Sequence, residues 1–235
     1  MKFAIIDNNP TFLEAAKEKG FECFKSLDEL LASKLDLSRA MLVLSSVIHE
    51  VYSYKDDFYD DVGVFWSDIK KCKFKAIVIR DMTVSKSAYD KIPVDAVLWV
   101  YQNVLNSSKL TYKGHTMAEI TSSFEDIWGA ICDVQHKKVD VHRLVHFLIK
   151  YRYQENWERE VRENYLPVSQ DKLQYWLEDF LGMKLVHKES SHLDFYDKCW
   201  AKDFKLNIPD NNGFKKQFLA WLKQLKTHIK WLAEA

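Results

Sequence analysis

Glycine is scarce in this chain, and its scarcity excludes several kinds of binding site. Only six glycines and four prolines occur in 235 residues. Loops that hold phosphate groups through successive backbone N–H groups need several glycines close together. Here the glycines lie far apart, at positions 20, 63, 114, 129, 182 and 213. The sequence therefore predicts neither a Walker-type loop nor a glycine-rich dinucleotide-binding turn.

Cysteine pairs, net charge and long apolar runs are also lacking. The four cysteines lie far apart with no Cys-x-x-Cys pair, which favours free thiols and predicts no metal site. Basic and acidic side chains number 34 each, so neither a strongly basic nucleic-acid surface nor electrostatic recruitment to membranes is expected. The chain has no apolar run of membrane-spanning length and no cleavable apolar leader. We therefore expect a cytoplasmic protein.

Hydrophobic residues make up 47% of the chain and aromatic residues 14%, which is typical of a folded core. The predicted strands of the first part lie at residues 3–6, 21–24, 41–44 and 75–81. Helices are predicted after Pro10, after the capping residue Ser26 and over about 57–72. This alternation predicts right-handed βαβ crossovers, and hence an α/β fold with a mostly parallel sheet and helices on both faces.

The rest of the chain is predicted to add an insertion and a C-terminal part. Residues 85–182 carry mainly helical apolar patterns and form a helical insertion. Residues 183–235 contain a strand, two helices and an alternating segment, 227–233, that suits a final antiparallel strand. No glycine- or serine-rich linker separates these parts from the sheet-rich residues 1–84, so a single domain over 1–235 is expected.

Polar side chains follow three of the predicted strands. Asp7, the pair Ser45–Ser46 and the pair Arg80–Asp81 each come directly after an apolar run. Parallel sheets bind ligands beyond the carboxyl ends of their strands. We therefore expect these side chains at one rim of the sheet.

Several segments together resemble S-adenosylmethionine-dependent methyltransferases of the Rossmann-like class. Residues 4–10 (AIIDNNP) and the helix after them resemble the second strand and helix of that class. Residues 42–52 (LVLSSVIHEVY) are similar to its fourth strand and loop, and residues 77–81 (IVIRD) to its fifth strand. Residues 155–161 and 227–230 resemble the C-terminal part of one subgroup. The resemblance is collinear over most of the chain and implies a Rossmann-like sheet.

The resemblance implies a role for each of six residues. An acidic residue at the end of the second strand binds the cofactor ribose in that class, and the loop after the fourth strand lines the cofactor cleft. The cofactor-binding residues implied are Asp7, Asn8, Ser45 and Ser46, and the catalytic residues implied are His49 and Glu50. A histidine in this position could act as a general base, although methyl transfer itself depends mainly on alignment.

Structural roles remain open for the same residues. Asp7 could instead form an Asx turn or cap the helix that starts at Pro10, a role that Asn8 or Asn9 could also take. The His49-Glu50 pair could cap the following helix. Arg80 and Asp81 could form an ion pair at the end of their strand.

The sequence also departs from the resembled class. The first strand and the glycine-rich turn of that class have no counterpart before Asp7, and its Pro-Gly-Gly is replaced by residues 72–75 (CKFK). A missing N-terminal fragment, a partner subunit that completes the site, or the loss of cofactor binding would each explain these departures. We therefore expect a methyltransferase-like protein with an unknown methyl acceptor, or else a non-catalytic binding or regulatory subunit of the same fold.

Two further patterns could indicate binding sites, but the sequence favours structural roles for both. Aromatic and basic residues cluster at 151–162, but glutamates interleave with them, so nucleic-acid binding is a less favoured alternative. His142 and His146 lie four residues apart without a third ligand, which favours a structural role over metal binding. The other histidines, apart from His49, receive no role.

Overall fold

The structure is a computed structural model that describes residues 4–7, 9–53, 62–192, 194–204 and 212–235. Asn8, an expected cofactor-binding residue, lies outside the described residues, as do residues 3 and 57–61 of the predicted elements. The strands are β1 Ala4–Ile6, β2 Glu22–Phe24, β3 Met41–Ser45, β4 Ala76–Met82, β5 Thr111–Tyr112, β6 His115–Thr116, β7 Cys132–Asp133, β8 Lys138–Val139, β9 Lys184–Ser191 and β10 His228–Glu234.

The α-helices of the described residues are α1 Pro10–Glu18, α2 Leu27–Ala32, α3 Ile48–Ser53, α4 Val62–Cys72, α5 Ser87–Asp90, α6 Val94–Val100, α7 Met117–Trp128, α8 Val141–Lys150, α9 Trp157–Glu160, α10 Gln170–Tyr175, α11 Asp194–Asp203 and α12 Phe214–Leu222. Two π-helical turns, Tyr101–Leu105 and Trp176–Phe180, continue α6 and α10. Within the described ranges, no helix is both long and apolar enough to cross a membrane.

Local sequence signals explain how the first two helices begin. The Asn9 side chain accepts a hydrogen bond from the Phe12 N–H, and Pro10 occupies the first turn. At the second helix the Ser26 hydroxyl accepts from the Glu29 N–H at 3.2 Å, as the capping pattern predicts. The Glu29 carboxylate accepts from the N–H of Lys25.

The main sheet is mixed, with four strands in the order β3-β4-β10-β9. β3 and β4 pair in parallel, whereas β10 runs antiparallel to both β4 and β9. The α/β class and the antiparallel C-terminal strand are therefore confirmed.

The mostly parallel sheet that the sequence suggested is not found in the described residues. β1 and β2 pair in parallel with each other in a separate two-stranded sheet. No described strand joins β1 to β3 by hydrogen bonds, so the parallel pairs β1–β2 and β3–β4 lie in separate sheets.

Two hydrophobic clusters form the core. One lies against the four-stranded sheet and includes Trp66, Ile79 and Trp231. The other joins the helices of the predicted insertion to α11 and α12, and includes Phe124 and Phe147. Residues 85–182 are mainly helical, as predicted, and the short hairpins β5–β6 and β7–β8 interrupt them.

Candidate functional site

The carboxyl ends of β3 and β4 lie at the same edge of the main sheet. The two strands are parallel, and Ser45 is the register partner of Arg80. After β3 the chain turns sharply at Ser46, whose φ of 57° lies in the left-handed region. The Ser46 N–H donates to the Arg80 carbonyl at 2.8 Å, which secures this turn and directs the chain into α3.

The buried carboxylate of Asp81 organises the start of α3. Its Oδ2 accepts from the backbone N–H groups of Ile48 at 2.8 Å and His49 at 3.3 Å. Its Oδ1 lies 2.8 Å from His49 Nδ1 and also accepts from the Met82 N–H at 2.8 Å. Four donors thus match the acceptor capacity of one carboxylate. A negative charge at the N-terminus of a helix is also favourable.

This arrangement fixes the proton on His49. A carboxylate can only accept, so Nδ1 donates to Asp81 and the neutral ring carries its lone pair on Nε2. No hydrogen-bond partner of Nε2 is found among the residues that the structure describes. A histidine that is oriented through Nδ1 by a buried aspartate, with Nε2 available, has the arrangement of a general base.

Tyr165 forms the wall beside the His49 ring. The two rings meet edge to face, with centroids 4.8 Å apart. The Tyr165 hydroxyl donates to Glu160 Oε2 at 2.5 Å, and Lys150 Nζ lies 3.3 Å from the centre of the Tyr165 ring. Burial and the neighbouring Glu160 raise the pKa of Tyr165 well above its ordinary value, so the phenol remains a neutral donor.

Lys150 is fully buried and paired with two carboxylates. Its Nζ lies 3.2 Å from Glu160 Oε2 and 3.7 Å from Glu163 Oε2. Burial lowers the pKa of the Lys150 ammonium to about 8, although both glutamates act in the opposite direction. Buried charges of this kind persist only when they are paired, and here they hold Tyr165 against His49.

Backbone contacts fasten the Tyr165 segment to α3 and α8. The Ser53 hydroxyl donates to the His49 carbonyl and accepts from the Asn164 N–H, each at 2.7 Å. His142 Nε2 donates to the Leu166 carbonyl at 2.6 Å, and His146 Nε2 donates to the Glu163 carbonyl at 2.9 Å. In both histidines Nε2 therefore forms a hydrogen bond to a backbone carbonyl, which supports the structural role over metal binding.

Glu50 lies at the surface next to this site. Partial desolvation by neighbouring atoms raises the pKa of its carboxyl group, and repulsion by Glu163 and Asp81 acts in the same direction, whereas His49 and Arg159 act against it. The carboxyl group thus keeps a proton to a higher pH than an isolated glutamate would. It could exchange that proton with a ligand held near His49.

The two rim serines are exposed. Ser45 Oγ accepts from Arg80 Nη1 at 3.1 Å, and Ser46 is held through its backbone. The structure therefore places Ser45 and Ser46 on the same rim as His49 and Asp81, as the sequence predicts.

Asp7 is not brought to this rim by any described hydrogen bond. It follows β1 in the separate sheet, where its backbone N–H donates to the Phe24 carbonyl at 3.1 Å. Its Oδ1 accepts from the Asn9 N–H at 2.7 Å, which is the Asx turn considered as the structural alternative. Asn9, not Asp7, caps the helix. Asp7 Oδ2 has no partner among the described residues, so a ribose role for Asp7 stays a prediction.

Sequence reasoning missed the residues that support His49. The sequence offers a place at the rim or an ion pair with Arg80 for Asp81, and it does not indicate that the Asp81 carboxylate orients the histidine. Tyr165 and Lys150 carried no signal, because they reach the site only when the helical insertion packs against α3. No protein-family model matches the sequence, and a search of curated proteins finds no significant match.

Proposed function

We propose that this chain is a methyltransferase-like protein, related to the S-adenosylmethionine-dependent class, in which His49 serves as the general base for the methyl acceptor. One observation carries the proposal: the buried Asp81 carboxylate orients His49 through Nδ1 at the carboxyl ends of two parallel strands. The motif resemblance supplies the cofactor class.

Four residues of the rim would divide the work of such a reaction. S-adenosylmethionine would supply an electrophilic methyl group for in-line displacement. Ser45 and Ser46 offer exposed hydroxyl groups that would line its cleft. His49 Nε2 would take the proton that the acceptor O–H or N–H loses when its new bond to carbon forms. Asp81 would stabilise the resulting imidazolium through Nδ1.

A second candidate is a non-catalytic binding or regulatory subunit of the same fold. The observation that favours it is that β1 and β2 form a sheet of their own, which no described strand joins to the sheet that holds β3. The β3 edge also leaves Met41 57% exposed and Val43 58% exposed. A cleft that lacks a strand and a glycine-rich turn would bind the cofactor weakly, unless a partner subunit completes it.

Calorimetry with S-adenosylmethionine separates the two candidates. The methyltransferase proposal predicts saturable heat with the chain alone, and Asp7→Ala should weaken binding by about 1–3 kcal/mol because a charge-assisted hydrogen bond is lost. Absence of heat at millimolar cofactor would reject cofactor binding by this chain alone. Unchanged affinity in Asp7→Ala would reject the ribose role.

The base role needs its own test. Transfer of labelled methyl groups into separated small-molecule and macromolecular fractions of a cell extract should fall strongly in His49→Gln. His187→Gln is the matched control, because His187 lies exposed on β9, away from the rim. Equal transfer by the two variants would show that His49 is not the base.

A further inference from the structure

Three metal-ligating side chains meet where β9 ends and α11 begins. His192 follows the strand, and Asp194 and Asp197 lie in the first turn of the helix. One ligand atom from each residue lies within 4.8 Å of the other two. The group is separate from the His49–Asp81 pair, because β10 lies between β9 and β4.

The His192 ring is held so that one nitrogen faces the carboxylates. Its Nδ1 lies 2.8 Å from the Leu225 carbonyl oxygen, which can only accept, so Nδ1 carries a proton. Its Nε2 lies 2.8 Å from Asp197 Oδ1. In the neutral ring, Nε2 presents a lone pair to a second acceptor at that distance. A proton shared by the two atoms explains this distance, and a cation that replaced the proton would bind both atoms.

The two carboxylates have no other cation among the described residues. No lysine or arginine in the described part of the chain forms an ion pair with Asp194 or Asp197. The buried glutamates around Lys150 differ, because a side-chain ammonium neutralises them. A metal-binding histidine typically donates its other ring N–H to a backbone carbonyl or a carboxylate, as His192 does to Leu225.

We propose that His192, Asp194 and Asp197 bind a divalent metal ion through Nε2 and one oxygen of each carboxylate. One imidazole and two carboxylates suit Zn²⁺ or Mn²⁺. Metal–ligand bonds near 2.1 Å put neighbouring ligand atoms about 3–3.4 Å apart, so small side-chain rotations complete the site. His192 is 14% exposed and Asp197 21% exposed in their side chains, and Asp194 is exposed, so water can fill the remaining positions.

The bound ion would fasten α11 to the end of β9. Its ligands come from both elements, and it would bind only when the two are folded together. Metal binding is therefore linked to folding, and the melting temperature should rise with metal concentration. This inference does not depend on the proposed methyl transfer.

The test is titration of the chelator-treated full chain with ZnCl₂ and with MnCl₂ by calorimetry. We expect one saturable site per chain. His192→Ala should weaken it at least about tenfold, since loss of a supporting residue alone costs 10–100-fold at such sites. His187→Ala and His136→Ala are matched controls, because both histidines are exposed and each lies near a carboxylate. They should leave affinity and the metal-dependent rise in melting temperature unchanged.

Other outcomes would overturn the proposal. Absence of saturable binding at millimolar metal would show that His192 and Asp197 form only an imidazolium–carboxylate pair. Binding that survives in His192→Ala would place the metal elsewhere. With Co²⁺ as the probe, a thiolate charge-transfer band would assign the ion to cysteine. If His192→Ala does not fold, Asp194→Asn carries the same test, because its carboxylate is at the surface.

Discussion

Replacing Asp81 with asparagine should cost stability and also move a proton on the His49 ring. Asparagine keeps the shape of the side chain but offers one acceptor oxygen and an NH₂ group that only donates. Suppose that the asparagine oxygen keeps the hydrogen bonds from the Ile48 and His49 backbone N–H groups. The NH₂ group then faces His49 Nδ1 and the Met82 N–H, both of which donate to Asp81 Oδ1 in the native protein. His49 Nδ1 can then accept a hydrogen bond from this NH₂ group. The proton then moves to Nε2, and the lone pair of the proposed base is lost.

The free-energy cost follows from the same contacts. The partly buried Met82 N–H loses its acceptor, which costs up to about 1–3 kcal/mol. Two bonds at the start of α3 change from charge-assisted to neutral, a loss of about 1 kcal/mol each. The helix also loses a favourable charge at its N-terminus. Together we expect Asp81→Asn to lower the free energy of unfolding by about 3–5 kcal/mol.

Urea unfolding followed by tryptophan fluorescence measures the free-energy change, provided that the slope is unchanged. Asp68→Asn is the matched control: Asp68 is also buried, but its described partner is the single exposed ammonium of Lys71, so its loss should cost much less. Nitrogen NMR of the His49 ring reports which nitrogen carries the proton. Equal costs for the two variants, or a proton that remains on Nδ1 in Asp81→Asn, would refute the reasoning.

Three further perturbations test the contacts behind the site. Lys150→Met should destabilise the chain by about 2–4 kcal/mol in urea, because it leaves the two buried glutamates only the largely exposed guanidinium of Arg159 as a cation; a loss below about 1 kcal/mol would contradict the pairing. Burial lowers the pKa of His146 to about 3, so the unfolded state binds more protons between pH 3 and 6.5. The unfolding free energy should therefore fall as pH drops through that range, and His146→Phe should flatten the slope. Ser53→Ala should cost about 1–3 kcal/mol by orphaning the Asn164 N–H, and more than Ser67→Ala, whose hydroxyl only donates to a carbonyl one turn back; equal costs would contradict this.

The rim residues could be predicted because their signals are local. Parallel β3 and β4 each show a short apolar run, and a polar pair follows each run directly. Once two such strands are parallel, geometry alone brings Ser45 and Arg80 together. The antiparallel final strand was predictable for a similar reason, since its alternation shows a half-buried strand. Its position between β4 and β9 was not, because partner choice depends on the packing of distant segments.

The β1–β2 pair shows why the alternation of elements overstated the parallel sheet. In the described residues, β1 and β2 each have only three residues, and they pair with each other. Alternation predicts a crossover between neighbouring strands in the chain. Alternation does not specify whether one pair of strands forms hydrogen bonds with the next pair in the same sheet. The expected place of Asp7 at the shared rim depended on that continuation. Its described side-chain hydrogen bond is instead the one from the Asn9 N–H, in a local turn.

The support behind His49 shows a general limit of sequence reasoning at such a site. Asp81, which orients His49, lies at the end of the neighbouring strand, where the apolar run before it predicts its place at the rim. The wall of the site comes from a helical insertion, in which Tyr165 depends on Lys150, and Lys150 on its glutamates. In the chain, Lys150 ends an apolar run in the last turn of α8, a position where a solvent-exposed lysine is common, and arginines and glutamates follow it. Only the fold reveals that the charges face inward, and that their pairing fixes the position of a ring beside the proposed base.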